Sequence, residues 1–236
     1  MKRTFLLILA TICAACGSGE NRSPSAAHTT VPQANAFVRR VDNPWFPLQP
    51  GTVFVYRGVK DGEPVRDVVT VTDRTKVIQG VHCTVVKDLL YESGHLAERT
   101  ADWYGQDRRG NVWYFGEDTA ELDESGHVTT REGSWQAGVD GARAGIFMPA
   151  HPRVGQSALQ EFYKDHAEDR FRVLSLSVSV RVPYVASRHA LLTKETTRLE
   201  PGVVGHKLYV RGVGLVKEET VKGGNERVVL MAVHRR

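Results

Sequence analysis

From Gly51 to the C-terminus the chain alternates apolar and polar residues with a period of two, and its runs are broken by Gly, Asn, Asp and Ser rather than by a helical period. Alternation of this kind puts successive side chains on opposite faces of a strand, so one face can be buried and the other solvated. Turn residues between the runs then favour antiparallel neighbours. Residues 52–58 and 65–75 form a hairpin across Asp61-Gly62, and 81–91 and 96–104 another across Ser93-Gly94. The aromatic runs Trp103-Tyr104 and Trp113-Tyr114-Phe115 flank Gly110-Asn111 in a third. Further strands fall near 158–163, 171–184, 190–199, 206–211, 215–221 and 227–234. In 171–184 the apolar set changes phase, which predicts a β-bulge near Val173-Leu174. The predicted fold is all-β and mainly antiparallel, a curved sheet or barrel-like roll of about eleven strands, because closure removes exposed edges. One long Gly/Pro-rich loop, 133–155, is the expected rim of any site.

The first residues predict an address. Lys2 and Arg3 precede the apolar run Phe5 to Ala10, and Ala14-Ala15-Cys16 is followed by the polar tract Gly17-Ser18-Gly19-Glu20. This order matches an export signal, and small residues directly before a cysteine resemble a lipobox. The position three before Cys16 is Cys13, where an aliphatic residue is usual. The apolar run is much shorter than the roughly 20 residues that span a bilayer. The expected organisation is a lipoprotein-type signal peptide over 1–15, a flexible tether over 16–41, and a single β domain over 42–236. Cys16 is the expected lipidation site, and the protein is expected to be exported and lipid-anchored to the cell membrane or the outer membrane, facing periplasm or exterior. Residues 16–36 are Ser-, Pro-, Ala- and Thr-rich and cannot bury enough surface to offset the entropy of ordering. Trp45 and Phe46, set between Pro44 and Pro47, are expected to plug one end of the domain.

Composition then excludes several classes. The formal charge of +4 falls as Lys2 and Arg3 leave with the signal, giving 29 basic against 27 acidic residues. That balance does not favour a nucleic-acid partner. Of the three cysteines only Cys83 remains in the mature chain, in phase with Val81 and Val85, and is expected to be a buried thiol. No H-E-x-x-H, no EF-hand loop, no G-x-S-x-G and no phosphate-binding loop is present, so no metal and no cofactor is expected. The acids from Glu117 to Glu124 are expected in a solvated loop.

Weak candidates for chemistry remain. Asp102, Asp107, Glu161 and Asp165, with His151, could supply paired carboxylates for a hydrolase, which needs two acids about 5 to 10 Å apart in one cleft. Trp103, Trp113, Trp135 and His151 are candidate ligand contacts, although at least half of the strand aromatics must be core.

The segments Asp42-Asn43-Pro44-Trp45-Phe46-Pro47-Leu48, Trp103-Tyr104-Gly105-Gln106-Asp107, Gly110 to Thr119 and Glu200-Pro201-Gly202-Val203-Val204 resemble those of a group of secreted bacterial proteins and lipoproteins whose activity is uncharacterised. The resemblance covers most of the chain after Asp42 and implies an exported, β-rich domain; it transfers no catalytic residue. Three functions follow as alternatives: binding of a small or lipidic ligand at the envelope, a carboxylate-dependent hydrolase, and a structural or interaction module. The oligomeric state is left open. An apolar cavity above about 300 Å³ would favour the first.

Overall fold

The computed structural model describes residues 29–235. The signal peptide 1–15, Cys16 and the start of the tether lie outside the described residues. A short 3-10 turn (Ala34–Ala36) leads into sixteen strands. These are β1 (Phe37–Val38), β2 (Thr52–Lys60), β3 (Glu63–Ile78), β4 (Val81–Glu92), β5 (His95–Asp107), β6 (Val112–Leu122), β7 (Val128–Thr130), β8 (Trp135–Gln136), β9 (Arg143–Met148), β10 (Ser157–Leu159), β11 (Glu161–Phe162), β12 (Asp169–Arg181), β13 (Ala186–Thr197), β14 (Val204–Val210), β15 (Gly214–Lys222) and β16 (Arg227–Arg235). The all-β, antiparallel class therefore holds, with more strands than the eleven expected.

Thirteen strands hydrogen-bond side by side in the order β10-β12-β13-β14-β15-β16-β2-β3-β4-β5-β6-β9-β11. The two ends of this order, β10 and β11, are separated in the chain only by Gln160. One segment thus pairs with β12 through its first half and with β9 through its second, and Gln160 N–H donates to the Asp169 carbonyl (2.8 Å). The sheet is a nearly closed barrel whose seam is this segment. At the seam a Cβ on Gly145 would stand 2.3 Å from the Leu159 carbonyl oxygen, so only glycine fits.

The first turns show why the long meander forms. Asp61-Gly62, Gln79-Gly80 and Ser93-Gly94 each place two consecutive residues at positive φ, the two-residue turn whose twist matches flanking strands. The phase change expected near Val173-Leu174 is present as a register shift between Val173 and Ser175, followed by two more along β12–β13. These bend the hairpin over one end of the barrel, where Tyr184 N–H donates to the Leu230 carbonyl (3.3 Å) and Val180 and Val182 are buried.

Two expectations need correction. Residues 133–155 are not a free loop: β8 pairs with β6, and β9 forms the barrel wall with Ala144, Phe147 and Met148 buried. Glycines at positive-φ turns (Gly133, Gly138, Gly141) cut the alternation too short to read in the sequence. Nor does the folded body begin at 42, since Phe37 of β1 pairs with Asp107 and sets its ring edge-on to Phe115 (5.5 Å between centroids).

The segment Val41 to Leu48 does cover one end. Asn43 N–H donates to Gln106 Oε1 (2.8 Å), and the Asn43 amide donates to the carbonyls of Gly110 (2.8 Å) and Pro149 (3.1 Å). From the other side Gly212 N–H donates to the Pro44 carbonyl (2.6 Å). Phe46 is thereby held against Phe147 (4.6 Å) and Tyr104 (5.2 Å).

Candidate functional site

The inward rows of the strands are not purely apolar. On β3 the row Val65, Asp67, Val71 is buried, and on β4 the row Val86, Asp88, Leu90. Asp102 on β5, Lys207 on β14 and Glu218 on β15 continue this polar band around the interior, each buried. Above it Phe46, Leu48, Phe54, Phe147 and Leu215 form an apolar wall. Band and wall enclose a cavity of about 60 Å³, roofed by 46–48 and 213–215. Such a space holds roughly four to six water-sized groups, at about 10–15 Å³ each. It is well short of the ~300 Å³ of a drug-sized pocket and admits no acyl chain as it stands.

Charge is finely divided on this floor. Asp67 and Asp88 lie diagonally on neighbouring strands, and their carboxyls hydrogen-bond to each other. Burial raises Asp67 to about 6, an effect moderated by the hydrogen bond with Asp88. Asp88 is pushed far above the carboxylate range, first by burial and then by Asp67 beside it. Of the two, Asp88 is the carboxyl that burial and its neighbour dispose to hold the proton, and Asp67 the one disposed to carry the charge. Asp102 is raised to about 8 by burial and by Asp88, against the hydrogen bond that Tyr114 Oη donates to its Oδ1 (2.6 Å). Burial disfavours charge on Lys207, but Glu218, Glu195 and Asp169 more than offset this and hold the ammonium protonated. Lys207 Nζ lies 3.6 Å from Glu218 Oε1. Asp67 Oδ1 has no hydrogen-bond partner.

A second acid group sits away from the cavity. A bulge at Phe115 and Gly116 puts Tyr114 and Glu117, three residues apart, on one face, opposite Tyr104 and Asp102. Gly116 takes φ +128°, and a Cβ there would meet the Trp135 carbonyl oxygen at 2.2 Å. Both carboxyl oxygens of Glu117 and of Glu161 are buried without hydrogen-bond partners. Burial drives both groups well above the usual range, reinforced by Asp102 and Glu161 at Glu117 and by Asp169 at Glu161. The Trp135 indole lies close enough to Glu161 to oppose that rise but completes no hydrogen bond.

Of the sequence candidates only Asp102 lines the cavity. Asp107 is a turn buttress: its carboxylate accepts from Arg109 N–H (2.9 Å), Asn111 N–H (3.0 Å) and Trp113 Nε1–H (3.0 Å). Glu161 is sealed in the second acid group, while Asp165 and His151 are exposed at separate places. Trp113 packs in the core, and Trp135 stands edge-on to Tyr114 (5.4 Å). Trp103 points the other way from Asp102, its ring under the Lys76 ammonium (3.2 Å). These candidates do not assemble into one open cleft. The acids expected in a solvated loop include Glu117, which is in β6 and fully buried. Asp67, Asp88, Lys207 and Glu218 are not among the sequence candidates; an acid or lysine in the apolar phase of a strand is the signal that marks them. Cys83 is buried, and desolvation pushes its thiol up to about 12, as suits an inert core residue. Among the described residues no group of three or more His, Cys, Asp or Glu is arranged to hold a metal ion.

No family model and no curated protein matches the chain. Among solved structures it is similar to a protein from Bacteroides fragilis described as exported and YmcC-like in fold, at 13% identity and a TM-score of 0.48, over 81% of this chain and 99% of that one. It is also similar to a protein from Parabacteroides distasonis described as a lipoprotein, at 11% identity and a TM-score of 0.46, over the same shares. Similarity this low transfers neither activity nor location.

Proposed function

We propose that the protein is an envelope lipoprotein, anchored through Cys16, whose barrel holds a small ligand at its plugged end. The lining of the cavity carries the reading, not its volume, which is below the ~300 Å³ expected of a ligand pocket: a few convergent polar groups with displaced proton affinities sit beside apolar and aromatic side chains, the combination typical of ligand sites. Its volume favours a small molecule over a lipid. The N-terminal pattern of charge, apolar run and Ala14-Ala15-Cys16 supports the anchor. A tether ahead of Phe37 would leave the domain in the aqueous compartment beside the membrane.

Native mass spectrometry of the protein purified from its own envelope tests the ligand. The expected result is a retained, non-covalent adduct of a few heavy atoms; an adduct-free barrel under conditions that preserve other complexes overturns it. Metabolic labelling with an acyl-chain analogue tests the anchor. Label should be present in the wild type and lost, with membrane retention, in Cys16→Ser.

A further inference from the structure

We infer that the cavity is a site for a small organic monocation, a primary ammonium of about four to six heavy atoms, with Asp67 as its counter-ion. The inference rests on the ligand reading above and names the ligand's class. Its first support is geometric. Asp67 is 3% exposed and lines the cavity, and its Oδ1 is a buried acceptor with no partner. An acceptor buried in this way is costly unless a donor meets it.

The second support is the division of charge among the neighbours. Tyr56 on β2, Asp88 on β4, Glu98, Asp102 and Tyr104 on β5, Lys207 and Tyr209 on β14 and Glu218 on β15 are the titratable groups that act on Asp67 or share its wall. Lys207 is the cation of that wall, and it is matched to Glu218 at 3.6 Å and held by Glu195 and Asp169 besides. Asp102 is occupied by the Tyr114 hydroxyl, and Asp88 hydrogen-bonds to Asp67 itself. What remains is one carboxylate at the cavity with one unpartnered oxygen, which calls for one positive charge carrying a donor.

The third support is the apolar part of the lining. Hard metal ions take six or more oxygen ligands around them, whereas Phe46, Phe54, Tyr104, Phe147 and Leu215 line much of the cavity with carbon. An ammonium with a short alkyl or hydroxyalkyl tail fits both surfaces: its head meets Asp67 and its methylenes meet the rings.

Calorimetric titration of the whole mature chain with n-butylammonium and with neutral 1-butanol, its near-isostere, tests this. At pH 7.5 the amine should bind at least about tenfold more tightly than the alcohol. Asp67→Asn should lower amine affinity to the alcohol's while leaving alcohol binding unchanged, which also shows that the variant is folded. Independently of any variant, amine affinity in the wild type should fall about tenfold from pH 7.5 to pH 5, as the Asp67 carboxylate, at about 6, takes up a proton. Equal binding of amine and alcohol, or a flat pH profile, overturns the monocation while leaving the cavity a ligand site. Binding of neither overturns the ligand reading itself.

Discussion

The barrel interior holds two groups of buried acids that differ in one respect: one faces empty space and the other does not. Asp67 and Asp88 border a cavity, with Lys207 and Glu218 on the same wall. Glu117 and Glu161 are packed among Tyr114 and Trp135, and all four of their carboxyl oxygens lack partners. Burial raises proton affinity in both groups, so burial alone does not make a site. A raised carboxyl in a sealed place responds to pH and nothing else. A similar carboxyl beside free volume can also be satisfied by a molecule from outside, so the cavity rather than the acid marks the candidate site.

Lys207 is the group that the two share, since Glu218 and Glu195 raise its proton affinity and it in turn lowers that of Asp102, Glu161 and Asp169. Lys207→Met should therefore have the largest effect of any single interior change. Removing one partner of a buried charged pair leaves the other uncompensated, at a cost of about 3–5 kcal/mol. Urea unfolding at pH 8 should show that loss. At pH 5 the loss should be smaller, because the orphaned carboxyls can take up protons. An equal loss at both values would mean that Lys207 acts through packing, and the electrostatic link between the two groups would be gone.

Next in size is the contrast between Glu117→Gln and Asp67→Asn. The folded proton affinities of Glu117 and Asp102 lie above their unfolded values, Asp102 at about 8. Their protonated forms thus favour the folded state: the contribution is complete below the unfolded pKa near 4 and is lost as pH rises through the folded value. Wild-type stability should accordingly decline between about pH 4 and pH 8, by on the order of a few kcal/mol. Glu117→Gln removes one of these groups and should recover about 1–3 kcal/mol at pH 8 and nothing at pH 4. Asp67→Asn should recover less than Glu117→Gln at pH 8 and, likewise, nothing at pH 4, since the Asp67 pKa is displaced over a narrower range, to about 6, whereas Glu117 lies well above the carboxylate range. If the two variants behave alike, the distinction between sealed and cavity-facing acids fails.

Particular residues show why the fold was more legible than the site. Asp61-Gly62 and Ser93-Gly94 announce their turns locally, and the rows around them alternate without interruption, so the early strands could be read nearly to their ends. Asp67 was visible too, as a lone acid between Val65 and Val69, but alternation says which face a residue takes and not what lies opposite. Pairing Lys207 with Glu218 requires the β14–β15 register, which shifts at Leu208 and Tyr209. Glu117 was hidden by the bulge at Phe115 and Gly116, which reverses the phase one residue before it. Strand β9 was obscured for a different reason: Gly145 is a glycine because the seam crosses it, and that requirement comes from sequence partners distant from it.

The smallest predicted effect separates the outer face from the inner one. Trp103 precedes Tyr104 and follows Asp102, so its ring lies on the face away from the cavity, where Lys76 Nζ sits 3.2 Å from the ring centroid. Desolvation lowers the Lys76 proton affinity, with Asp118 acting against it, so the ammonium is partly withdrawn from water by the ring it covers. A cation over an indole at a partly exposed position contributes about 0.5–1 kcal/mol. Lys76→Ala should cost that much in urea unfolding and should leave both n-butylammonium affinity and its pH profile as in the wild type. The aromatic pair Trp103 and Tyr104 then divides cleanly, one ring belonging to the shell and the other to the cavity. A change in amine affinity in Lys76→Ala would show instead that the two faces of β5 communicate, and that the candidate site extends through the wall of the barrel.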